Sequence, residues 1–145
     1  MIGLIQRVKT ATVTIEELPV GHIDTGILLL LGIEKADDQD SADKLLHKIL
    51  NYRIFADDEG KMNKSLTDIN GGLLVVSQFT LAADTKKGLR PSFSSAASPQ
   101  HAETLYNYFL SAAAEQHNNI QQGKFAANMQ ISLINDGPVT FKLET

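Results

Sequence analysis

Two periods alternate along the chain. Residues 8–15, VKTATVTI, are rich in β-branched side chains and alternate in part, which predicts one or two strands. Residues 27–31, ILLLL, form an unbroken apolar run, as in a strand buried on both faces. Between 37 and 53 the period changes. Ala42, Leu45, Leu46, Ile49 and Leu50 fall on one helical face behind an acidic first turn. Arg53-Ile54-Phe55 and the turn ADDEGK follow, with Gly60 suited to a hairpin. Gly71-Gly72 opens a long predicted strand over 73–81 with a polar interruption. Ser98-Pro99 makes a cap and first-turn pair for a second helix, whose apolar face is Ala102, Leu105, Tyr106, Phe109 and Ala113. The last third, 125–143, reads as two strands joined at Asn135-Asp136-Gly137-Pro138. No repeat and no linker interrupts the pattern. The expectation is one α/β domain over 1–145, mostly β-sheet with two main helices packed on it.

The final turn is unusual. A short hairpin needs only Asp-Gly, and the added proline removes a backbone donor beside the strand it introduces.

Composition narrows the function classes. With 145 residues, 43% hydrophobic and 21% charged, the chain is long and apolar enough to bury a core. It has no cysteine, which excludes disulfides, thiol nucleophiles and cysteine-ligated zinc, and suits a reducing compartment. The start, MIGLIQRVK, lacks the apolar stretch of a signal peptide, and the longest apolar run is five residues. A soluble, cytoplasmic protein is expected. A net charge of −4 argues weakly against a nucleic-acid partner, since such partners select a basic footprint. Two local clusters could still supply one: Arg7 with Lys9, and Lys86 and Lys87 with Arg90.

Familiar catalytic patterns are missing. His22, His47, His101 and His117 are scattered without metal-ligand spacing, and the last two are expected on the surface at the ends of the second helix. Asp37-Asp38-Gln39-Asp40 lacks the glycine and distal glutamate of a calcium loop. No phosphate-binding glycine motif occurs, so no cofactor is expected. What remains is Ser77-Gln78-Phe79-Thr80, polar residues closing an apolar strand. They could cap a sheet edge. They could also bind an ester carbonyl or its oxyanion, since sites on sheets gather at strand C-termini. No base stands beside Ser77 or Thr80 in sequence, so neither has a visible activator as a nucleophile. GLRPSF at 88–93 reads as a structural loop or a cationic contact. Phe125 and Met129, four apart in a strand-like run, share a face as core or as pocket wall.

Together these pieces become specific. SQFT at 77–80 and NDGPVT at 135–140 resemble the two signature motifs of the D-aminoacyl-tRNA deacylase (D-tyrosyl-tRNA(Tyr) deacylase) family. MIGLIQRV, NYRIFADDEGKMN, LLVVSQFTLAADT, GLRPSF and GKFAANMQISLINDGPVT resemble it in order, over essentially the whole chain. Asn128 departs from the pattern, where an acid is expected.

The resemblance implies a homodimer with its active sites at the subunit interface. It implies a cis Gly137-Pro138 bond, a small cost for an X-Pro bond, presented to the partner's pocket as a rigid wall against an L side chain. It implies chiral proofreading, with release of D-amino acids or glycine from tRNA, no membrane and no metal. Arg7 is expected to brace the Gly-Pro loop. Backbone N–H groups around Phe79 and Thr80 are expected on the carbonyl, with Ser77 and Gln78 shaping the pocket and Phe125 and Met129 on the adenosine side. The attack is expected from water or the ribose 2′-OH, with Thr80 as nucleophile the alternative. Two other classes compete: a nucleic-acid-binding module that has lost hydrolysis, and a general esterase using Thr80.

Overall fold

The computed structural model describes residues 1–86 and 88–145, so Lys87, one of the candidate phosphate contacts, lies outside the described residues. Strand β1 (Ile2–Ile15) is the spine of a six-stranded sheet. Strands β2 (Leu18–Ile23) and β3 (Gly26–Gly32) share one of its edges, β2 against its C-terminal half and β3 against its N-terminal half. Strand β8 (Gln130–Glu144) runs antiparallel along the other edge. Beyond β3 come β6 (Gly72–Ser77) and β7 (Ile120–Gln122), both in parallel pairing. Strands β4 (Phe55–Ala56) and β5 (Met62–Lys64) form the small hairpin at ADDEGK.

Helices α1 (Gln39–Asn51) and α3 (Pro99–Gln116) cover one face of this sheet, and a single turn, α2 (Leu66–Ile69), adjoins α1. The cores explain the apolar runs. Ile27, Leu29, Leu31, Leu73 and Val75 pack with Leu45, Ile49, Tyr106 and Phe109 of the helices. Leu28, Leu74 and Val76 point the other way, onto Val8, Ala11 and Val13 of β1. Because side chains alternate across a strand, only an apolar run serves both sides. Both helix starts are capped: Ser98, as expected, accepts from the His101 N–H at 3.3 Å, and Asp38 accepts from the Ser41 N–H and hydroxyl, each at 2.9 Å. Those bonds from Ser41 hold the Asp38 carboxyl below the usual range. Among the described residues no helix is long and apolar enough to cross a membrane.

Four expectations need correcting. The strand expected over 73–81 ends at Ser77, and Phe79–Ala82 is one 3-10 turn. No hairpin forms at the Gly-Pro. Both flanks pair with β1, Asn135 with Val8 and Thr140 with Gln6, so residues 136–139 bulge out opposite Arg7 alone. Phe125 and Met129 lie in an irregular segment with a positive φ at Ala126, not in a strand. His117 is buried rather than on the surface, its Nε2 donating to the Gly71 carbonyl at 2.6 Å.

Candidate active site

Strands β3 and β6 end side by side, Leu31 opposite Ser77, and a cavity of about 500 Å³ opens beyond their C-terminal ends. Ser77, Gln78 and Phe79 form its floor and one rim. The start of α3, Pro99 and Ala102, forms a second wall, and residues 125–129 a third. The α3 wall is tied to the end of β3: Ala97 N–H donates to the Ile33 carbonyl at 3.1 Å, and His101 Nε2 donates to the Asp37 carbonyl at 2.9 Å.

The third wall is built around Tyr106. Its hydroxyl is buried behind the cavity, 3.0 Å from the Val75 carbonyl and 3.4 Å from that of Gly123. Gly123 N–H also donates to Val75, at 2.9 Å. The Tyr106 ring stands 5.8 Å from that of Phe125. A Cβ at Gly123 would sit 2.6 Å from Met129 Sδ, so only glycine lets the thioether lie this close. Burial pushes the Tyr106 hydroxyl up to about 12, so it stays a neutral donor.

The cavity's chemistry is spare. Among the described residues that line it, none has an ionisable side chain; the polar side chains are those of Ser77, Gln78 and Asn128. Thr80 lies one residue beyond the lining, exposed, and Gln78 Nε2 donates to its hydroxyl oxygen at 2.6 Å. Intrahelical bonding in the 3-10 turn begins with Leu81 N–H on the Gln78 carbonyl, 3.2 Å. A helical turn leaves its first N–H groups to outside partners, here those of Phe79 and Thr80. Among the described residues no cluster of histidine and acidic side chains is placed to hold a metal ion.

Arg7, Gly137 and Pro138 form a separate assembly on the β1–β8 ladder and do not line this cavity within one chain. The Gly137-Pro138 bond is cis, and Gly137 has φ +129°. Arg7 lies under the bulge: Nε donates to the Asp136 carbonyl at 3.1 Å and Nη1 to the Ile54 carbonyl at 2.6 Å. Asp136 Oδ2 is 3.3 Å from Arg7 Nε. The Asn135 side chain closes the neck, accepting from Val139 N–H at 2.8 Å and donating to the Thr140 hydroxyl at 2.9 Å. Gly137 and Pro138 themselves are exposed.

Five of the expected residues, Ser77, Gln78, Phe79, Phe125 and Met129, thus surround one cavity. Sequence reasoning missed the wall residues Pro99 and Ala102, and Asn135 and Asp136 as the fixings of the bulge. The preference of asparagine for bonding the backbone of a turn is the signal that could have found Asn135; Asp136 pairs with the distant Arg7, which no local signal shows.

The model of the D-Tyr-tRNA(Tyr) deacylase family matches residues 4–144. The chain is 63% identical over 145 residues to the D-aminoacyl-tRNA deacylase of Stutzerimonas stutzeri (strain A1501), covering 100% of both. It is 64% identical over 143 residues to that of Pseudoalteromonas translucida (strain TAC 125), covering 99% of both. Among solved structures, the c-Myc DNA Unwinding Element Binding Protein superposes with a TM-score of 0.96 at 41% identity, covering 100% of this chain and 99% of that one. A probable eukaryotic D-amino acid tRNA deacylase shares the fold, with a TM-score of 0.85 at 14% identity over 99% of this chain and 98% of that one. The chain belongs to the D-Tyr-tRNA(Tyr) deacylase family.

Proposed function

We propose that this chain hydrolyses the ester joining a D-amino acid, or glycine, to the 3′-terminal ribose of tRNA, and rejects the L-enantiomer. The observation that carries the reading is a cavity at the end of a parallel strand pair with no ionisable side chain among its described lining residues. Those residues offer no general base to activate a side-chain nucleophile, so the attack is assigned to water or to the substrate's ribose 2′-OH. What the protein supplies is position and dipoles. The N–H groups of Phe79 and Thr80 are assigned to the ester carbonyl and its oxyanion. Ser77 and Gln78 shape the floor, and Phe125 and Met129 offer an apolar wall to the terminal adenosine.

Thr80 is not the nucleophile in this reading. Its hydroxyl is engaged by the Gln78 amide, and an amide is no base. Thr80→Ala is expected to keep most of the activity.

Chirality is assigned to the Gly137-Pro138 bulge of a second copy of the chain. Enantiomers share hydrophobicity and charge, so only a fixed surface near Cα can separate them. Within one chain the bulge is exposed and lies apart from the cavity, which suits a homodimer that inserts it into the partner's site.

Matched time courses on D-tyrosyl-tRNA, L-tyrosyl-tRNA and glycyl-tRNA test the reading. Release of the D-amino acid and glycine with the L-form untouched is expected. Equal release of both enantiomers would sink the steric wall, and no release would sink the hydrolase.

A further inference from the structure

Two aromatic side chains stand exposed at the edge of the cavity. Phe79 is 62% exposed and Phe93 is 40% exposed, with ring centroids 5.0 Å apart and planes tilted by 45°. Phe79 also lines the cavity, so the pair stands at its mouth. Phe93 is brought there by a tied loop. Asp84 and Ser92 exchange backbone hydrogen bonds of 2.7 and 3.0 Å, and the Ser95 hydroxyl donates to the Ala82 carbonyl. Lys35 N–H donates to the Ser95 carbonyl at 3.1 Å. The rings are therefore held by the framework of the loop rather than by burial. The same loop exposes Lys86 and Arg90. Its acid, Asp84, turns a carboxylate oxygen back onto the Lys86 N–H at 2.9 Å.

We propose that the Phe79–Phe93 pair is a stacking platform for the base of the penultimate nucleotide of the tRNA, with Lys86 and Arg90 available to the neighbouring phosphates. The inference rests on the deacylase reading, which puts the terminal adenosine in the cavity. An RNA strand leaving that cavity crosses its rim, where the two rings stand. Single-stranded RNA ends are recognised by stacking unpaired bases on aromatic rings. Stacking accepts any base and works together with cations along the backbone, which matches two rings beside two cations. Neither ring belongs to the packed cores, and an exposed apolar patch at the rim of a site is a place for a ligand to bind.

The test compares the D-tyrosyl ester of adenosine with the D-tyrosyl ester of the dinucleotide CpA. The protein as it stands should cleave both, with a KM for the CpA ester lower by on the order of 10-fold. Phe93→Ala should remove that preference and leave kcat and the adenosine ester unchanged. Phe93→Trp should restore it, and Phe93→Leu, similar in bulk but without a ring, should not. Cleavage of neither ester by the unsubstituted protein would refute the deacylase reading itself. Cleavage of both with equal KM overturns only the platform, as does a Phe93→Ala protein that keeps the preference. Loss of self-association in Phe93→Ala, read by sedimentation, also overturns it, by assigning the rings to contact between copies.

Discussion

Gly137→Ala is the perturbation whose effect follows furthest from the geometry. At φ +129° an L-residue is strained, at a cost of about 1–3 kcal/mol. A Cβ there would stand 2.8 Å from Val139 Cγ2 and 3.0 Å from Arg7 Nη2. Neither neighbour yields easily. Val139 is stiff about χ1 and its N–H is bonded to Asn135 at 2.8 Å. Arg7 is held by bonds to the Ile54 and Asp136 carbonyls of 2.6 and 3.1 Å. Releasing one charged hydrogen bond of this kind costs about 1.5–3 kcal/mol. Holding the bulge in its native place therefore costs at least about 2.5 kcal/mol. Because Gly137 and Pro138 are exposed, the bulge relieves the strain by moving, and the protein stays folded. The assay is single-turnover deacylation of D- and L-tyrosyl-tRNA, with thermal unfolding alongside. The ratio of D to L rates should fall by at least about tenfold. A folded Gly137→Ala protein with both rates unchanged would refute the assignment of chirality to this bulge.

Other consequences are equally open to measurement. The Tyr106 hydroxyl is pushed up to about 12 by burial, above its ordinary value of 10.0, so its contribution to stability is complete below pH 10 and drains away as pH rises toward 12. The loss should reach up to about 3 kcal/mol; Tyr106→Phe should abolish this part of the alkaline decline in melting temperature, and an unchanged decline would show the cause lies elsewhere. His117→Ala leaves the buried Gly71 carbonyl without its 2.6 Å donor, so denaturant titration should show a loss of about 1–3 kcal/mol. Arg90→Ala should reduce the slope of log affinity for tRNA against log salt by about 0.7, with kcat unchanged; an identical slope would clear Arg90 of phosphate contact. With no ionisable side chain among the described lining residues, log kcat should climb steadily with pH through neutrality, and a bell-shaped profile would reveal an acid–base pair that the cavity lacks.

Legibility followed the range of the interactions. Helix α1 could be read from Ala42, Leu45, Leu46, Ile49 and Leu50, all of which are buried, because a helical face is written within a few turns. The start of α3 was equally local, Ser98 capping and Pro99 following. The Gly-Pro segment was not. Its two β-like flanks say only that each seeks an edge, and both find the same one, on a strand at the far end of the sequence. The residues of the bulge could be named, but not the partner that holds its ends apart. The end of β6 was misjudged because Phe79 and Leu81 continue the apolar pattern, whereas Gln78, at φ −141° and ψ 80°, turns the chain into a 3-10 turn. Phe125 and Met129 share a wall as expected, though not as strand neighbours: the left-handed Ala126 between them has no signature in the sequence. His117 was missed because its partner is the distant Gly71 carbonyl. Strand β2, with four exposed residues out of six, gave no apolar run to read.

The long β1–β8 ladder also bears on how the molecule is made. Strand β1 comes far ahead of β8 in the sequence, and its outer edge stays open until β8 zips along it. Ile2 pairs with Glu144 and Val13 with Ile131, so this closure spans most of the chain and is slow to nucleate. The bulge forms in the same event, since its two ends are stitched to the strand that the closure covers. A translation product that stops short of residue 130 loses the bulge and at the same stroke leaves the edge of its central strand bare, an invitation to aggregation and removal.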